Sequence, residues 1–265
     1  MKLRRGNRFI AYDLLGPEDG PVVCFTHSLA ADGGMWAEQV PPLLERGWRV
    51  LRLDMRGHGG SDPVAGDYTM AALAEDVAAS LDALGLQRVH YIGLSIGGMI
   101  GQAFAIAHPN RLLSAMWCDT LPSSPVGARE MWEQRMSAVR EANSLEPLAD
   151  ATTERWLTEG FKQRNPARWK QIRDTVAATT PSGYCGCCAA ILNFDFTAQL
   201  GSVRVPALVV CGAEDAGTPP AQNRAIAALV PGARYEELAE ARHFPNVEHP
   251  DRFNRIMLDW LGEHG

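Results

Sequence analysis

At 265 residues, with 46% hydrophobic and 21% charged residues, the chain has ordinary globular composition, which excludes collagen, coiled coil and extended disorder. Its 25 basic and 31 acidic residues give a formal charge of −6 without a long run of one sign, so a nucleic-acid partner finds no electrostatic footprint. No apolar stretch approaches the roughly 18 residues of a membrane span, and Met1-Lys2-Leu3-Arg4-Arg5 runs into Gly6-Asn7-Arg8 instead of a signal-peptide core, so a soluble, cytoplasmic protein is expected.

In chain order, Gly6-Asn7 separates Leu3 to Arg5 from Arg8 to Tyr12, a turn dipeptide that predicts an opening hairpin. Five continuous apolar runs follow, Val22 to Thr26, Val50 to Asp54, Val89 to Gly93, Leu112 to Cys118 and Ala207 to Gly212. Such runs suit parallel strands buried on both faces. Helical patterns lie between or after them at Trp36 to Arg46, Met70 to Leu84, Gly97 to His108 and Ala221 to Leu229, and a last one covers Asp251 to Leu261. Strand alternating with helix implies right-handed crossovers and a mostly parallel sheet covered on both sides. From about Leu121 to Leu200 the rhythm breaks. No strand-like run occurs there, Trp132, Trp156 and Trp169 mark amphipathic stretches, and Pro122, Pro125 and Pro181 punctuate the two ends. The division expected is a core of residues 1–120 and 201–265 with a helical cap insertion of residues 121–200.

The six cysteines are Cys24, Cys118, Cys185, Cys187, Cys188 and Cys211. A chain this long needs no disulfide staples, and Cys185-Gly186-Cys187-Cys188 lacks a second ligand pair at zinc spacing, so buried reduced thiols are expected and no metal.

Gly93-Leu94-Ser95-Ile96-Gly97-Gly98 lies between an apolar run and a helical pattern, the context that a Gly-x-Ser-x-Gly nucleophile elbow requires. Glycines two before and two after the serine remove the β-carbons that a sharp strand-to-helix turn would crowd. Ser95 is therefore the candidate nucleophile. The N–H of Ile96, at the helix start, is a candidate oxyanion donor. Of seven histidines, His243 is the best placed as base, in a loop between the strand-like Arg234 to Leu238 and the last helix; His27 and His58 also lie in loops. The orienting acid is expected at Asp215, after the run ending at Gly212, with Glu214 and Asp119 as rivals. The order Ser95, Asp215, His243 differs from those of the chymotrypsin and subtilisin types. The loop His27-Ser28-Leu29-Ala30 offers the N–H of Leu29 as second oxyanion donor, although Ser28 stands where such loops usually carry glycine. In Asp54-Met55-Arg56-Gly57-His58-Gly59, Asp54 and Arg56 are expected to fix the loop rather than touch substrate.

With these residues in place the chain resembles the α/β-hydrolase superfamily from end to end, and within it the 3-oxoadipate enol-lactonase group. The resemblance rests on Ser28-Leu29 with Met35-Trp36, Asp54 to Gly59, Gly93 to Gly98, Cys187-Cys188-Ala189-Ala190-Ile191, and Trp132 with Arg135 as a Trp-x-x-Arg pair. It implies an eight-stranded, mostly parallel sheet flanked by helices, acyl-enzyme opening of a lactone or ester without cofactor, and Trp132 and Arg135 at the substrate; a homo-oligomer is left open. Departures are Ala241-Arg242-His243, where Ala-Gly-His or Ser-His is usual, and Asp119, where the group often has Asn. A carboxylesterase, a carbon–carbon bond hydrolase, a cofactor-free perhydrolase and a slow-turnover ligand receptor share nearly the same residues.

Overall fold

The computed structural model describes residues 1–124 and 127–265. An opening hairpin, β1 (Lys2–Arg5) and β2 (Arg8–Leu15), leads into β3 (Val22–Thr26), β4 (Arg49–Leu53), β5 (Val89–Leu94), β6 (Leu112–Cys118), β7 (Ala207–Gly212) and β8 (Arg234–Leu238). These form one sheet in the order β1-β2-β4-β3-β5-β6-β7-β8. β2 pairs antiparallel with β1 and β4, and the remaining neighbours pair parallel. The central strands β3, β5 and β7 are buried at every residue, as their unbroken apolar sequences require. The edge strand β8 reads Arg-Tyr-Glu-Glu-Leu and buries only Leu238, and its charges keep a sheet edge from pairing with another chain.

The helices begin with α1 (Val40–Leu44), α2 (Met70–Ala83) and α3 (Ile96–Ala107). The helix expected over Trp36 to Arg46 is instead a 3₁₀ turn, Gly33–Gln39, followed by α1. Pro41 and Pro42 account for the break, since neither has an N–H to continue a ladder and each crowds the turn before it. Between β6 and β7 the chain forms α4 (Arg129–Ala142), α5 (Glu146–Trp156), α6 (Glu159–Arg164), α7 (Pro166–Ala178), α8 (Pro181–Leu192) and α9 (Thr197–Leu200). Pro181, expected to mark an end of this segment, lies within it as the first residue of α8, capped by Thr180, whose hydroxyl accepts the N–H of Gly183 at 3.1 Å. Pro125 lies outside the described residues. The chain finishes with α10 (Pro220–Leu229), α11 (Pro245–Glu248) and α12 (Pro250–His264). None of the described helices is long and apolar enough to cross a membrane, and all six cysteines are buried free thiols.

Three joints fasten the helical segment to the sheet side. Arg168 of α7 grips both carboxylate oxygens of Glu38 at 2.7 and 2.8 Å and the carbonyl of Gly34 at 3.0 Å, a bidentate pairing of fixed geometry. Glu248 of α11 accepts the N–H and hydroxyl of Thr158 at 2.6 and 2.5 Å and the N–H of Arg242 at 2.6 Å. Gly57, at φ +69, packs so closely on α8 that a β-carbon on Gly183 would lie 2.7 Å from Gly57 Cα. Asp54 and Arg56 serve this loop as expected. Asp54 accepts the N–H groups of Gly33 and Gly60 at 2.8 and 2.9 Å, and Arg56 pairs with Asp76 of α2 and donates to Ala72 O at 3.0 Å.

Gly183→Ala is expected to force α8 off the Gly57 loop and cost roughly 1–3 kcal/mol, the range for overpacking. Gly262→Ala, in α12 with no atom within 4 Å of the new β-carbon, should be neutral or slightly stabilising. Urea unfolding of both variants measures the contrast.

Candidate active site

Ser95 joins β5 to α3 with φ 60 and ψ −119, a conformation that L residues avoid and that persists only where the surroundings dictate it. Here they do. Ser95 N–H donates to Cys118 O at 2.8 Å, and the hydroxyl of Thr120 donates to Ser95 O at 2.7 Å. A β-carbon on Gly93 would collide with the carbonyl of Gly97, and one on Gly97 would lie 2.5 Å from Thr26 O. The two glycines of the motif are thus required by contact between β5, α3 and β3.

His243 and Asp215, which come from the loops after β8 and β7, are brought together. His243 Nδ1–H donates to Asp215 Oδ2 at 2.7 Å, leaving the lone pair on Nε2. Asp215 also accepts the N–H groups of Gly217 and Thr218 at 2.8 and 3.1 Å and the hydroxyl of Thr218. Burial opposes its ionisation, but the charge and hydrogen bond of His243, with the hydrogen bonds of Thr218, outweigh that and hold the carboxyl well below the usual range. Trp156 of α5 stacks on His243 and Phe244 with ring centroids 6.1 and 4.5 Å apart. His27 has both nitrogens engaged, Nδ1 with Ser28 O at 2.8 Å and Nε2 with the N–H of Met55 at 2.9 Å. His58 is pushed down to about 3, first by burial and then by His27, and neither ring lines the cavity described next.

Ser95, Asp215 and His243 line one cavity of about 330 Å³, together with Ser28, Leu29, Tyr184, Ile191 and the predicted Trp132 and Arg135. Ser95 makes no hydrogen bond to His243 in this geometry; among the described residues its hydroxyl stands without a side-chain partner. Leu29 sits in a turn closed by Ala31 N–H to Ser28 O at 3.1 Å, and the left-handed residue of that turn is Ala30, at φ 59. Ser28 is therefore not in a position that needs glycine. The N–H of Ile96 is the first of α3 and has no acceptor within its own helix, while the Ile96 side chain is fully buried in the core. Arg135 lies over the Trp132 ring, 5.5 Å from its centroid.

Sequence reasoning missed Thr218, Trp156 and Arg155. Thr218 follows Asp215 by three residues, the spacing of an aspartate that caps its own turn, so that signal was available. Arg155 of α5 also lines the cavity, and nothing in its surrounding sequence marks it. Among the described residues neither Arg135 nor Arg155 has an ion-pair partner. The rival Asp119 is buried behind Asp215. Burial, and next the charge of Asp215, hold its carboxyl well above the usual range.

Residues 21–250 match the sequence profile described as alpha/beta hydrolase fold. The chain belongs to the alpha/beta hydrolase fold family. Within that family it is 33% identical to 3-oxoadipate enol-lactonase 2 of Acinetobacter baylyi over 93% of this chain and 90% of that one. The enol-lactonase from Burkholderia xenovorans superposes with a TM-score of 0.94 at 35% identity, covering 99% of this chain and 100% of that one. A hydrolase from Pseudomonas aeruginosa superposes with a TM-score of 0.93 at 35% identity over 99% and 98% of the two chains. Nucleophile, acid and base of an alpha/beta hydrolase follow one another in that chain order, the order of Ser95, Asp215 and His243 here.

A carboxylate whose pKa is lowered on folding contributes stability that is present above its unfolded value, about 3.9, and is lost as the pH falls through the lower native value. Wild type should therefore exceed Asp215→Asn in stability at neutral pH, and the gap should close as acid is added below about pH 4. Urea midpoints of both proteins across that range check the sign.

Proposed function

We propose that this hydrolase opens a lactone or ester by forming an acyl-enzyme on Ser95. The observation that carries the reading is the sharing of one cavity by a serine on a strained elbow and a histidine whose Nδ1 is fixed by a buried carboxylate. His243 Nε2 takes the proton of Ser95 as the hydroxyl attacks the carbonyl carbon, and the N–H groups of Leu29 and Ile96 hold the oxygen that becomes negative. Asp215 keeps the imidazole in the tautomer with Nε2 free and stabilises it when charged. Collapse of the tetrahedral intermediate expels the leaving oxygen, which takes its proton from His243. For an enol-lactone that oxygen leaves as an enol, which can become a ketone. Water, deprotonated by His243, then cleaves the acyl-enzyme.

Residues 121–200 act as the cap over this chemistry. The substrate class is an anionic enol-lactone, supported by the enol-lactonase relatives and by the two guanidiniums in the cavity wall. Trp132 supplies an apolar face, and Arg135, with Arg155 beside the same space, supplies charge for a carboxylate.

Ser95→Ala should fold normally and lose turnover by about 10⁶-fold, as triad serines do, and a serine-directed phosphonate should add its mass to Ser95; an adduct elsewhere sinks the reading. Arg135→Ala should raise KM for an anionic lactone by roughly tenfold, or about 1.4 kcal/mol, and leave a neutral aryl ester nearly unchanged. Equal effects on both substrates would make Arg135 a surface residue and remove the support for an acidic substrate.

A further inference from the structure

Two buried carboxyls converge on His243, and only one of them is served as an anion. Asp215 receives Nδ1–H of His243, two backbone N–H groups and a hydroxyl. Asp119, the residue after β6, is fully buried at φ 45. Its Oδ1 accepts one N–H, from Gly212 at 2.8 Å, and its Oδ2 is buried without a partner. One donor atom from each of Asp119, Asp215 and His243 lies within 4.8 Å of the other two. The groups facing Asp119 are thus the Asp215 anion, the His243 ring and the thiol of Cys211. Two like charges that close in a dry interior cannot both persist beside a single imidazole, and the hydrogen bonds decide which one keeps the charge.

We propose that Asp119 is a neutral carboxylic acid with its proton on Oδ2, a positioning residue behind the Asp215–His243 pair that becomes the orienting acid when Asp215 is made neutral. The second half rests on the reading of His243 as base. Wild-type catalysis needs no ionisation of Asp119. In Asp215→Asn the neighbouring anion is gone, the O–H bond of Asp119 breaks with its proton passing to bulk water, and the new carboxylate accepts the Nδ1–H of His243.

Infrared difference spectroscopy at neutral pH reads the proton directly. A protonated-carboxyl C=O stretch should be present in wild type and in Ser95→Ala and absent from Asp119→Asn. If Asp119→Asn does not fold, wild type made with carboxyl-13C aspartate carries the same measurement as an isotope shift of that band. A wild-type spectrum without the band overturns the proposal. The reserve role is read from kcat/KM in a double-mutant cycle. Asp119→Asn alone should cost less than about tenfold and Asp215→Asn alone about 10²-fold, while the double variant should reach the about 10⁴-fold loss of a triad with no acid. The same cost for Asp119→Asn in both backgrounds, or a 10⁴-fold loss from Asp119→Asn alone, refutes it. Failure of the acyl-enzyme reading shows separately, as a Ser95→Ala enzyme that stays active, and the infrared band decides the state of Asp119 even then.

Discussion

Ser95 sits in a backbone conformation that costs of order 1–3 kcal/mol, and much of the sheet centre is arranged so that no easier conformation is open to it. Its N–H is tied to β6 through Cys118 O and its carbonyl to Thr120, while α3 leaves so close to β3 that a β-carbon at position 97 would lie 2.5 Å from Thr26 O. Relaxing the turn would break hydrogen bonds to the strand on one side and lift a helix from the strand on the other. The fully buried strands β3, β5 and β7 supply the rigidity. The loops at the carboxyl ends of β3, β7 and β8 bring Ser28, Asp215, Thr218 and His243 to the same cavity, so a stiff sheet and its connecting loops meet at one point.

The imidazole is set by a different device. The short stretch from Arg242 to Glu248 is fastened to the helical segment at three places. Phe244 stacks on Trp156, Glu248 bridges Arg242 N–H to Thr158, and the guanidinium of Arg242 donates to Glu154 O and Leu157 O at 2.7 and 3.2 Å. Those carbonyls end α5, where a cation also meets the negative end of the helix dipole. Arg242, the departure from the usual glycine beside the histidine, thus has a structural use. It ties the loop of His243 to the end of α5, whose Arg155 and Trp156 line the cavity.

What the sequence made legible was whatever depends on local pattern. Unbroken apolar runs located the strands because both faces of the sheet are covered, and the elbow located Ser95 because its glycines answer to close packing, Gly93 on Gly97 within the motif and Gly97 on Thr26 of β3. Asp215 and His243 were legible from chain order and from their place after strands. The break of the expected helix at Pro41 needed only a stricter reading of the proline pair. Trp156 and Arg155 were hidden for a different reason. Their importance comes from where α5 is laid across the sheet, and that is decided by Arg168 gripping Glu38, 130 residues away in sequence, and by the contact of Gly183 with Gly57. Neither contact leaves a periodic trace. Ser28 in a glycine's place likewise suggested a disturbed loop, and only the backbone angles show that the left-handed turn residue is Ala30.

The charges around the cavity also follow from these placements. Asp215 is the carboxylate of its lining, and its charge is held by four hydrogen bonds, one of them from His243. Arg135 and Arg155 on the facing helices have no such match among the described residues, so the potential inside the space is set by two guanidiniums with aromatic and aliphatic walls between them. A low-dielectric enclosure strengthens such a field relative to water. It favours an anion on the side of the cavity lined by α4 and α5.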